Sequence, residues 1–142
     1  MNTDTEAVVD ASAIVAAVVP EKHSEWVSGR LRRYGYFHVL DLTYYEVSNS
    51  ILNKVSKKEL TGSKASASFS EALKAMALYE THSFQEIISD SLHLASSLGI
   101  TAYDCAYLLL ARKFGLSFLT LDTKLAKRLA GSSYLELLDY PK

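Results

Sequence analysis

Two short apolar runs in this chain each end in an aspartate that opens a helix-like segment. One is Ala7-Val8-Val9-Asp10, followed by Ser12 and an Ala/Val/Ile stretch that stops at Pro20; the other is residues 116–121, closed by Asp122 ahead of a basic segment at 123–129. Apolar runs of this length bounded by breakers fit buried strands. A strand that feeds a helix and then another strand favours parallel pairing, because a parallel neighbour needs a long crossover.

The same alternation fills the space between. Residues 21–33 are amphipathic, 36–40 are aromatic and branched as in a strand, and 43–57 repeat apolar residues at Val47, Ile51 and Val55 as in a helix. The Ser-rich stretch at 62–70 is expected to be an internal loop, followed by helices at 71–79 and 85–97 with a very short strand at 79–83. Residues 101–114 are apolar nearly all round, the mark of a helix buried on more than one side, and a last strand is expected at 134–137. The fold class is therefore α/β, with helices on both faces of a mainly parallel sheet of four or five strands. At 142 residues, 1–142 reads as a single domain.

Composition narrows the function. With 49% apolar and 22% charged residues the chain can bury a real core, which excludes disordered and low-complexity classes. A net charge of −1 gives no global drive toward nucleic acid or an anionic membrane, so such binding must be local. The acidic start at 1–6 and the apolar stretch at 7–19, interrupted by Asp10, predict neither a signal peptide nor a membrane span. The lone Cys105 is expected as a small buried residue and fits a reducing compartment, hence a cytoplasmic protein.

Four carboxylates stand at expected helix starts. Asp10 and Asp122 end strands, while Glu46 and Asp104 each follow a threonine by three residues, Thr43 and Thr101. Taken singly, each is a helix cap: aspartate caps well, and both threonine segments match the capping box. In a parallel sheet, however, those helix starts gather on the strands' carboxyl edge, where open α/β sheets place their ligands. One like-charged pair 4 Å apart repels by roughly 4 kcal/mol at an effective dielectric of 20, so several approach a domain's whole stability of about 5–15 kcal/mol. Hard divalent cations with oxygen ligands, Mg²⁺ or Mn²⁺, are the usual remedy, and such sites hydrolyse phosphodiesters. Glu46 lies opposite the Val47, Ile51, Val55 stripe, where a plain solvated residue would sit, but its neighbours Asn49, Ser50 and Asn53 are uncharged, which suggests a polar pocket wall. Thr120, two residues before Asp122, either reaches a metal-bound water or simply fills a strand position between Leu119 and Leu121.

With these residues in place, the chain resembles the PIN-domain family and, within it, the VapC-type toxin ribonucleases of toxin–antitoxin pairs. The resemblance runs in order through Val8-Val9-Asp10-Ala11-Ser12-Ala13, Tyr45-Glu46-Val47-Ser48-Asn49, Gly99-Ile100-Thr101-Ala102-Tyr103-Asp104-Cys105-Ala106 and Phe118-Leu119-Thr120-Leu121-Asp122. It implies an α/β/α sandwich and a Mg²⁺- or Mn²⁺-dependent endoribonuclease. Asp10, Glu46, Asp104 and Asp122 would be its acidic metal-binding quartet, with Thr120 and Asn49 at accompanying polar positions. It also implies a homodimer and a VapB-like antitoxin partner. Residues 62–85 match no motif.

If four acids serve a metal, twelve remain against fifteen basic residues, and a mildly basic surface admits RNA. Arg30, Arg32 and Arg33 beside Tyr34 and Tyr36, and Lys54, Lys57 and Lys58, are candidates to hold phosphates and stack bases, unless they are simply solvated. His23, His38, His82 and His93 show no metal-binding spacing and are expected at surface or hydrogen-bonded positions. The alternative to a nuclease is a non-catalytic PIN-like module that binds RNA or protein through the same pocket. A receiver-like phosphoacceptor fits poorly, because Asp10 has no adjacent acid.

Overall fold

The computed structural model describes residues 5–142; of the acidic start, residues 1–4 lie outside them. The chain runs β1 (Glu6–Val9), α1 (Ala11–Val18), α2 (Ser24–Arg33), β2 (Tyr36–Leu40), α3 (Asp41–Ser56), α4 (Gly62–Met76), β3 (Glu80–His82), α5 (Ile88–Leu98), α6 (Ala102–Phe114), β4 (Ser117–Leu119), α7 (Thr123–Arg128) and β5 (Leu138–Asp139). Five strands form one sheet in the order β3-β2-β1-β4-β5, with every pairing parallel. Strand order reverses at β1, which pairs with β2 on one side and β4 on the other.

Alternation along the strands divides the core in two. Ala7, Val9, Phe37, Val39 and Leu119 pack with α1, α3 and α4, whereas Val8, Leu40 and Phe118 pack with α5, α6 and α7. The result is the expected three-layer sandwich, and Cys105 is buried in its second core. Two histidines are buried there as well, fully hydrogen-bonded. Glu6 meets His38 at 2.8 Å, His38 meets His82 at 3.0 Å and His82 meets Glu86 at 2.9 Å, with Phe114 stacked on the His38 ring and tilted against the His82 ring. Among the described residues no single helix is long and apolar enough to cross a membrane.

Three local expectations are corrected. Residues 62–70 are not a loop but the first half of α4, started by Thr61, whose hydroxyl accepts from the Lys64 N–H. The small side chains let this helix lie close to α1: Ala65 and Ala72 are buried and the Ser68 hydroxyl donates to the Val18 carbonyl. Residues 134–137 fall in a 3-10 helix, Ser133–Leu137, begun by the Ser132 hydroxyl, and the final strand is the two-residue β5 beyond it. Helix α3 starts at Asp41 rather than 43, because Thr43 caps from inside it, accepting the Leu40 N–H at 3.1 Å.

Two glycines test this description in opposite directions. A methyl group added at Gly62 or Gly115 meets open space, but Gly115 closes α6 with φ +65° whereas Gly62 is helical. Gly62→Ala should stabilise by about 0.4–1 kcal/mol in denaturant titration. Gly115→Ala should cost roughly 1–2 kcal/mol.

Candidate active site

The four acids come together at the carboxyl edge of the sheet. Asp10, Glu46, Asp104 and Asp122 line one recess of ≈ 350 Å³, with Ala11, Ser12, Tyr107 and Leu121. Asp10 follows β1 and Asp122 follows β4, the two strands at the order reversal, so the recess sits where a doubly wound sheet opens a crevice. Helix α6 brings Asp104 because it runs back against the strands and starts at the same edge.

Capping and convergence coexist, because a cap occupies only one carboxylate oxygen. Asp10 Oδ1 accepts from the Ala13 N–H at 3.2 Å, and Asp122 Oδ1 accepts from the Leu125 N–H at 3.0 Å. Asp104 lies in the first turn of α6, where Thr101 is the cap and accepts the Asp104 N–H at 3.1 Å. Glu46 has no part in a cap. Thr43 serves the helix start from inside, so the capping box expected for Thr43 and Glu46 does not form, and the glutamate side chain is left for the recess.

Two hydroxyls brace the floor of the recess. Ser12 donates to Asp10 Oδ1 at 2.6 Å and accepts the Leu121 N–H at 3.0 Å. Thr120 donates to Asp10 Oδ2 at 2.5 Å and accepts the Asp122 N–H at 3.1 Å. Thr120 therefore spends its only proton on Asp10 instead of reaching into the recess. Asn49 is exposed on α3 and is not among the lining residues.

Tyr107 is the residue that sequence reasoning passed over. The apolar surroundings of 101–114 marked it for packing, and it does stack on Phe118, ring centres 5.3 Å apart. Its hydroxyl, however, donates to Glu46 Oε1 and contacts Thr43 Oγ1 at 2.8 Å. The signal available was its position three residues after Asp104, one helical turn along the same face.

Electrostatics follow from this crowding. Burial raises the Asp10 carboxyl above the ordinary aspartate range, the Ser12, Thr120 and Ala13 hydrogen bonds oppose the rise, and the Asp122 charge adds to it. Burial also raises Glu46; the Tyr107 hydrogen bond opposes the shift, while the charges of Asp10 and Asp104 reinforce it. Asp104 is raised by burial and then by Asp122, with Thr101 and Arg128 opposing. Burial and the Glu46 charge push the Tyr107 hydroxyl far up, so it remains a donor.

An all-oxygen set of four carboxylates has the chemistry to take a hard divalent cation. Among the described residues no three His, Cys, Asp or Glu side chains yet stand close enough to enclose one ion, so the acids flank the recess rather than forming a finished cage. Several of the basic and aromatic candidates are committed elsewhere. Arg30 pairs with Asp139 at 3.3 Å and lies over Trp26, Lys54 pairs with Glu21 at 2.8 Å, and the Tyr34 hydroxyl donates to Asp139.

A PIN-domain model matches residues 7–131. The chain belongs to the PIN-domain family. Ribonuclease VapC3 of Pyrobaculum aerophilum is 39% identical over 121 residues, 85% of this chain and 92% of that protein. Exonuclease VapC9 of the same organism is 27% identical over 133 residues, 94% of this chain and 92% of that protein. A solved toxin-antitoxin complex from Klebsiella pneumoniae shares the fold with a TM-score of 0.66 at 16% identity, covering 96% of this chain and 98% of that one. Within the PIN domain, the match includes β2, β3, β4, all of β1 but its first residue, and all four acids.

Raised carboxyl values have a definite sign. Protonation is more favourable in the folded state, so the stability it contributes is complete below the unfolded carboxyl values and is lost as pH rises through the raised folded ones. The metal-free PIN domain should therefore melt at progressively lower temperature as pH is taken from 5 to 8. Asp10→Asn keeps an oxygen for the Ala13 cap while removing the buried charge. It should flatten that slope and raise the melting temperature at pH 8 by roughly 2–4 °C per kcal/mol of repulsion relieved. A lower melting temperature at both pH values would mean that the carboxylate is a net stabilising cap.

Proposed function

We propose that this PIN domain is a metal-dependent endoribonuclease that hydrolyses RNA phosphodiester bonds, the toxin of a VapBC-type toxin–antitoxin pair. The observation that carries the reading is the gathering of Asp10, Glu46, Asp104 and Asp122 around one recess at the strand-order reversal. The names of its relatives, Ribonuclease VapC3 and Exonuclease VapC9, support a nuclease hydrolase. Those four acids would hold Mg²⁺ or Mn²⁺. A bound divalent ion supplies Lewis acidity there, lowering the pKa of its water and neutralising charge on the scissile phosphate.

The chain's own residues do the rest. Ser12 and Thr120 hold Asp10 with both oxygens oriented, and Asp122 is fixed by its cap on α7. Four negative charges by themselves repel a polyanion, so phosphate approach is coupled to charge neutralisation in the recess. Lys124, Lys127 and Arg128 are exposed on α7 beyond Asp122, and Arg128 already acts electrostatically on Asp104. They are placed to receive phosphates flanking the scissile one. A VapB-like antitoxin and a second copy of the chain are the proposed protein partners; the toxin-antitoxin complex that shares this fold supports the first. The single buried cysteine fits a cytoplasmic setting.

The test is RNA cleavage by the EDTA-stripped protein, reloaded with Mn²⁺ or Mg²⁺, on linear and circular RNA. Cleavage of both substrates is expected, abolished by EDTA and reduced to the metal-free level in Asp10→Asn and Asp122→Asn. Degradation of linear RNA alone would make it an exonuclease. No Mn²⁺ binding at millimolar metal would favour a non-catalytic binding module.

A further inference from the structure

Glu46 is the only one of the four acids that is neither a helix N-cap nor in a first turn; it is the sixth residue of α3. Its longer side chain has more rotamers to lose than an aspartate, and the charges of Asp10 and Asp104 act on it. What it does have is Tyr107. We infer that Tyr107 is a positioning residue: its hydroxyl ties down Glu46 Oε1 so that Oε2 is presented to the recess, and Thr43 in turn fixes the tyrosine hydroxyl. The inference rests on the reading of the recess as a cation site.

Counting protons gives the tie a direction. The Leu40 N–H donates to Thr43 Oγ1 at 3.1 Å, and an ionised Glu46 can only accept. Tyr107 has one proton, which goes to Glu46, so the 2.8 Å contact between Thr43 and Tyr107 is made with the threonine proton. The chain thus runs one way, from the Leu40 amide at the end of β2 through Thr43 and Tyr107 to Glu46. Each hydroxyl polarises the next, which strengthens the last bond.

The anchor is rigid at every point before the carboxylate. Thr43 and Tyr107 are buried, and the tyrosine ring lies nearly parallel to Phe118, with 8° between their planes. The chain joins β2 and α3 to α6, so Glu46 is referenced to the helix that also supplies Asp104. Among the described residues no hydrogen bond engages Glu46 Oε2, which leaves that oxygen to the recess it lines.

The experiment compares wild type, Tyr107→Phe, Glu46→Ala and the double variant, each stripped with EDTA, titrated with Mn²⁺ by calorimetry and melted without metal. Tyr107→Phe keeps the stacked ring and loses only the hydroxyl. It should weaken Mn²⁺ binding about 10- to 100-fold, the usual consequence of losing a ligand's outer partner. In the Glu46→Ala background the same change should alter Mn²⁺ affinity by less than about twofold, because the group it positions has gone. A role in packing alone predicts equal melting losses in both backgrounds and unchanged Mn²⁺ affinity in Tyr107→Phe, which would overturn the inference.

If wild type itself binds no Mn²⁺ at millimolar concentration, it is the reading of the recess that fails. The tie is then judged by the metal-free melts: non-additive losses for Tyr107→Phe and Glu46→Ala support it, and additive losses overturn it. If Tyr107→Phe does not fold, Thr43→Val carries the same titration with Tyr107 and Glu46 in place. Several-fold weaker Mn²⁺ binding is expected there, and wild-type affinity would overturn the inference.

Discussion

Like charges held close together in a partly buried recess are the constraint around which this molecule is arranged. Ordinary packing would let Asp10, Glu46, Asp104 and Asp122 turn toward water, each along its own path. The fold instead attaches them to elements that cannot separate: two adjacent central strands, the helix that follows the second strand, and the helix that returns to the fourth. The hydrophobic core on both faces of the sheet supplies the stabilisation against which that repulsion is set, in keeping with the frequent conflict between stability and activity at functional sites.

Hydroxyl groups manage the repulsion locally. Ser12, Thr120, Thr101 and Tyr107 each contact a carboxylate or its helix, and each is itself anchored by backbone or a second hydroxyl. A lysine in any of these places would neutralise a carboxylate but compete with a cation for it. A hydroxyl donates a hydrogen bond, favours the ionised acid and carries no charge of its own. Neutral donors therefore oppose the rise that burial imposes on the acids and orient them, while adding no charge of their own to the recess.

Much of this was legible in the chain because local signals and the global fold agree. The runs before Asp10 and Asp122, the apolar faces of α3 and α6 and the ordered motifs were enough to expect a parallel sheet with acids on one edge. The errors have local causes. The Ala/Ser stretch at 62–70 has the composition of a loop, and only its burial against α1 makes its small side chains helical packing. Thr43 matches a cap in spacing, yet its hydroxyl acts from the third position of the helix. Tyr107 was obscured by its neighbours: in a segment apolar all round, a polar tip on an aromatic ring has no periodicity to betray it, and its partner Glu46 is 61 residues away.

The cross-brace made by Ser12 and Thr120 joins the corner after β1 to the corner after β4, so neither can shift alone. Such a floor behaves as a fixed gauge. Magnesium accepts oxygen ligands at about 2.0–2.1 Å in near-octahedral order, whereas calcium asks for about 2.3–2.6 Å and more ligands. A larger ion would have to pry apart two corners bolted to each other, leaving the α3 and α6 walls to yield. If the recess takes a divalent cation as proposed, discrimination by ionic radius would then originate in two uncharged side chains, through the carboxylate and the corners they hold.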